Sequence, residues 1–126
     1  MPTCEQSYAP TYMPRIRVEV YIPKRHARPY RNVLTWLIDE FTRLRGGCSV
    51  HENVSGYYRL ASNEFVDERI SLVYSDFDMD WDQPIEREKV LDYCVRLKMF
   101  LLNTLSEEQI LISAFPVSHV NPTASV

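Results

Sequence analysis

The chain predicts a two-layer α+β sandwich, a four-stranded antiparallel sheet with two helices on one face. Three observations carry this. Residues 15–22 alternate strictly, apolar at even positions and mostly charged at odd ones. Residues 30–45 and 84–105 repeat apolar positions at steps of three and four. Short apolar strands fall between and after those helices, which sets the order βαββαβ. A length of 126 residues suits one domain with one core. The expected organisation is a flexible arm over 1–14, the domain over 15–117 and a tail over 118–126.

Each element has its own signal. The first strand buries Ile16, Val18, Val20 and Ile22, turns Arg15, Arg17, Glu19 and Tyr21 the other way, and stops at Pro23, which cannot donate to a ladder. Helix one carries Val33, Leu34, Leu37, Ile38, Phe41 and Leu44 as a stripe, and Gly46-Gly47 closes it because glycine accepts the left-handed conformation of a helix end. A second strand over 48–60 loses its alternation near Asn53 to Gly56, which marks a bulge or bend. The third strand, over 68–74, sets Ile70, Leu72 and Tyr74 on one face, and Arg69, Ser71 and Val73 on the other. An acidic loop over 75–83 supplies Asp82 as a helix cap, and Pro84 suits the first turn of helix two. That helix has an inner stripe of Val90, Cys94, Leu97, Leu101 and Leu105, with Tyr93, Phe100 and Leu102 as surplus apolar surface. A last strand covers 110–115. Right-handed crossovers make the topology ferredoxin-like.

Several chemistries are excluded or weakened. Three glycines, at 46, 47 and 56, cannot build a phosphate loop, a dinucleotide fingerprint or a nucleophile elbow. Counted from Asp76 or Asp78, the acidic run ending at Asp82 lacks the glycine and the glutamate of a calcium-binding loop. His26, His51 and His119 lie in separate segments and three cysteines are widely spaced, so neither a metal site nor a disulfide framework is expected. Cys48, beside a Gly-Gly turn, reads as a core residue rather than a nucleophile. No cofactor is expected. The polar start is not a secretory signal and no apolar run is long enough to span a membrane, which suggests the cytoplasm. A formal net charge of -3 argues against a dedicated nucleic-acid binder.

The candidate surface is the outward sheet face. With strands one and three central, Arg15, Arg17, Glu19 and Tyr21 are expected beside Arg69, Ser71 and Val73, giving Arg15, Arg17, Tyr21 and Arg69 as ligand contacts. Lys24, Arg25 and Arg28 form a basic loop before helix one that suits an anion. The ordinary reading of these charges is cross-strand pairing and a solvated loop.

Val18-Glu19-Val20-Tyr21, Gly47-Cys48-Ser49-Val50, Gly56-Tyr57-Tyr58-Arg59 and Leu72-Val73-Tyr74 resemble a family of small bacterial proteins of unassigned activity. The resemblance covers most of the chain, implies a ferredoxin-like fold, and draws attention to Glu19, Gly56, Tyr57 and Arg59. The basic loop and the acidic run depart from it.

The expected function is a binding or assembly module, homodimeric, using its open sheet face for a protein partner or a small acidic ligand. The surplus apolar surface of helix two supports association. The alternative is an enzyme with a pocket between the sheets of a dimer, with Glu19 or His51 carrying protons, Tyr57 donating a hydrogen bond and Arg59 clamping an anion. A third reading is RNA binding through Arg15, Arg17, Lys24, Arg25 and Arg28.

Overall fold

The computed structural model describes residues 8–107 and 109–124. The elements are β1 (Tyr8–Pro23), α1 (Arg28–Arg45), β2 (Ser49–Arg59), β3 (Phe65–Phe77), α2 (Pro84–Leu105) and β4 (Leu111–Ala124). The sheet order is β2-β3-β1-β4 with every pairing antiparallel, which is the ferredoxin-like arrangement.

β1 is bonded on both sides, and its even side chains face the helices. Ile16, Val18 and Val20 are wholly buried and Ile22 nearly so. Val33, Leu37 and Phe41 of α1 pack over them with Val90, Leu97, Leu101 and Leu105 of α2. Phe41 meets Phe77 edge-on at 6.0 Å between ring centres, and Phe77 meets Tyr93 at 5.5 Å. α1 ends on Gly46 at φ 86°, the left-handed turn its sequence calls for. α2 starts differently from the expectation. Gln83 is its N-cap, with no side-chain cap bond, while Asp80 accepts the Asp82 backbone N–H at 3.0 Å.

β3 reverses one expectation. Ile70, Leu72 and Tyr74 do alternate away from Arg69, Ser71 and Val73, but the second set faces the helices. The register settles it, since Val20 stands opposite Val73, Val18 opposite Ser75 and Ile22 opposite Ser71, and opposed residues share a face. Ser75 tolerates burial by donating to the Gly47 carbonyl at 2.6 Å. β2 is irregular where its pattern breaks. Its register shifts between His51 and Val54, and Asn53 has φ 62°.

The strands run further than their apolar cores. Residues 8–14, expected in a flexible arm, belong to β1, and 118–124, expected in a tail, belong to β4. Residues 1–7, 125 and 126 lie outside the described residues. β3 stops at Phe77 opposite Ile16, so 8–15 pair with 117–124 alone as a two-stranded ribbon. Within that pairing Pro10 faces Pro122, Pro14 faces Ser118 and Pro116 faces Ile16.

Phe41 is wholly buried where both helices meet the sheet. Phe41→Ala is expected to cost about 3–5 kcal/mol. Urea unfolding measures it, and a loss below about 1 kcal/mol would place the core elsewhere.

Candidate functional site

Odd residues of β1 point away from the helices, and the register arrays their neighbours in rows across the sheet. Arg17 lies between Asp76 of β3 and Phe115 of β4. Glu19 lies between Tyr74 and Ser113, and Tyr21 between Leu72 and Leu111. From β2, Ser49 stands opposite Tyr74 and His51 opposite Leu72. Among the described residues no helix covers this face.

Its polar side chains are tied to one another. Arg17 grips Asp76 with both arms of its fork, Nε to Oδ1 at 2.7 Å and Nη2 to Oδ2 at 3.0 Å. Its guanidinium also lies 4.4 Å from the Tyr74 ring centre. His119, on the ribbon end of β4, reaches across β1 so that Nε2 lies 2.6 Å from Asp76 Oδ2. The Tyr21 hydroxyl donates to Glu19 at 2.8 Å, His51 stacks on Tyr74 at 5.8 Å, and Arg15 pairs with Asp78 at 3.2 Å. Asp76 is the hub. The hydrogen bonds from Arg17 hold its carboxyl below the ordinary carboxylate range, with His119 adding to the effect. Accepting at Glu19 and partial burial raise the Tyr21 phenol, so it stays a neutral donor.

The structure therefore brings together Arg15, Arg17, Glu19, Tyr21 and His51, and leaves the other candidates elsewhere. Arg69 lies on the helix side of the β2–β3 hairpin, donating to Ser55 at 2.5 Å. Tyr57, opposite Asp67, shares that side and is 74% exposed, away from Glu19. Arg59 ends β2 and lines a cleft at the other end of the sheet together with Arg25. Of the basic loop, Lys24 donates to Asn53 at 2.8 Å and Arg25 binds Glu68, while Arg28 is exposed. Asp76, Tyr74 and His119 were missed as site residues. Asp76 was hidden in an apparent acidic loop and His119 in an apparent tail, although extending the alternation of β3 by one pair of residues would have brought Asp76 onto the face.

Among the described residues no group of three or more His, Cys, Asp or Glu can hold a metal ion. No helix among them is long and apolar enough to cross a membrane. No protein-family model, curated protein or solved structure matches the chain.

Because folding lowers the Asp76 pKa, its contribution to stability is full above the ordinary carboxylate value near ~4 and is lost as pH falls through the folded value. Asp76→Asn is expected to cost about 1–3 kcal/mol at neutral pH. The gap between variant and parent should close as pH drops below about 4. Denaturant unfolding across pH measures it, and a pH-independent gap would remove Asp76 as the hub.

Proposed function

We propose that this chain is a binding and assembly module whose open sheet face receives a second copy of the chain. One observation carries the reading: among the described residues the face is uncovered, yet its polar groups are already tied to one another and within one charge of balance, the carboxylate of Glu19 being the excess. Arg17 is neutralised by Asp76 and Arg15 by Asp78. A face without large net charge meets its own copy with no like-charge penalty, and C2 pairing is the commonest way for such a surface to close. Between the ion pairs lie Leu72, Tyr74 and Phe115, half-buried within the isolated chain, which supply apolar area. Pre-engaged side chains lose little entropy on association. Cys48 and Cys94 are free thiols, which suits a reducing cytoplasm.

The enzyme reading draws support from a single pairing. Asp76 holds His119 through Nε2 and leaves the other ring nitrogen unengaged, as an oriented proton carrier requires. Against RNA stands the neutralisation of Arg15, Arg17 and Arg25 by carboxylates.

Sedimentation equilibrium tests the proposal. The parent chain is expected as a dimer, with dissociation at least tenfold easier for Phe115→Lys and for Ser113→Lys, both on the face and neither in the buried core. A monomeric parent, or variants that dimerise as tightly as the parent, would sink it.

A further inference from the structure

A second feature lies at the opposite end of the sheet from the ribbon, at the margin of the open face, where Tyr21 and Leu111 line it. There the tip of the β2–β3 hairpin and the connection from α2 to β4 enclose a cleft of about 680 Å³. That is the size of a small-molecule site, typically about 300–1,000 Å³. Its apolar lining comes from Leu60, Val66, Ile70 and Ile110, side chains from three different elements and connections.

The polar groups are few and unequal in their engagements. Arg25 is held by Glu68 and lies 3.9 Å from Glu107, so its charge is spent within the protein. Arg59 and Lys98 line the same cleft and form no hydrogen bond or ion pair among the described residues. The Tyr58 hydroxyl is likewise unengaged, and burial raises its pKa so that it remains a phenol. The cleft thus offers a guanidinium fork from the helix side of β2, an ammonium from α2 and a hydroxyl from the open side of β2, around an apolar lining.

Gly56 supports the same reading independently. A methyl group there would lie 2.6 Å from Ile70 Cδ1, 2.7 Å from Tyr58 Cε2 and 2.8 Å from the Tyr58 hydroxyl oxygen. The absence of a side chain lets Tyr58 fold back over β2 against Ile70, and both of these line the cleft.

We propose that the cleft binds an amphipathic monocarboxylate, its hydrocarbon or aromatic body against Val66, Ile70 and Ile110 and its carboxylate between Arg59, Lys98 and the Tyr58 hydroxyl. A planar carboxylate fits the guanidinium fork in two parallel hydrogen bonds. Glu68 and Glu107 together exceed Arg25 by one negative charge on the same wall, which disfavours a doubly charged ligand such as a phosphate ester. The cleft shares Tyr21 and Leu111 with the margin of the open face, but Arg17, Asp76 and His119 do not line it, so its occupation can be measured apart from dimerisation.

The test uses the full chain and decanoate, followed by isothermal titration calorimetry with 8-anilinonaphthalene-1-sulfonate displacement as a second readout. Decanoate is expected to bind one per chain and decanol at least tenfold more weakly. Arg59→Ala and Lys98→Ala should each weaken decanoate about tenfold, a typical size for one charge-assisted contact. Gly56→Ala should weaken both probes by displacing Tyr58. Arg59 is exposed and Lys98 half-buried outside the core, so circular dichroism should show both variants folded. No decanoate binding by the parent, equal binding of decanol, or undiminished binding in the Arg59/Lys98 double variant would overturn the proposal. Sedimentation of the same samples separates this outcome from the fate of the dimer, because the double variant keeps every residue of the Asp76 cluster.

Discussion

The parity of β1 is the constraint on which everything else rests. This strand is bonded on both sides, so its side chains have only two directions available, and one of them is filled by two helices. Ile16, Val18, Val20 and Ile22 take that direction and are almost wholly buried. Arg17, Glu19 and Tyr21 are then forced to the other face, and a slip by one residue would bury two charges and expose the core. The face chemistry is thus a by-product of core packing, fixed as firmly as the core itself.

Given that parity, the neighbouring strands complete a polar cluster that β1 alone could not. Asp76 stands opposite Arg17 because the β1–β3 register runs unbroken from Pro23 to Ile16. His119 joins only because β4 continues past the body of the sheet. One carboxylate thereby ties together β3, the central strand and the ribbon. Removing it frees a cation on β1 as well as a ring on β4, so its loss is felt at two places.

Much of this fold is legible in the chain because its elements obey single periods. The alternation in β1, the stripe in α1 and the Gly46 stop agree with each other and with the observed topology. The failures occur where local pattern and tertiary role part company. In β3, Ser71 and Ser75 are small enough to lie under the helices, while the larger Leu72 and Tyr74 go to the open face, so hydrophobicity misreports which side is buried. The ribbon is rich in proline and polar residues and has no apolar rhythm to announce it. Arg15, Arg17, Glu19 and Tyr21 were therefore identifiable as one face from sequence, whereas the side taken by His51 depends on where β2 bulges, and Asp76 and His119 depend on strand lengths that no local signal announces. The pairing of Tyr58 with Gly56 is equally silent, being a matter of which ring folds back over which strand.

The prolines of the ribbon have a consequence for how this protein avoids polymerising. Pro10 faces Pro122, and neither can donate, so that pair occupies a position where backbone amides point outward rather than between the two strands. Alternation puts Pro14 in the same outward set, and Pro116 too, just below the ribbon on the free edge of β4. Both long rims of the ribbon are therefore missing donors just where another strand would zip on. A protruding pair of strands is ordinarily an invitation to fibril growth, rim upon rim. Here that route is interrupted on both sides, because a strand added to either rim would meet a position with no amide to offer.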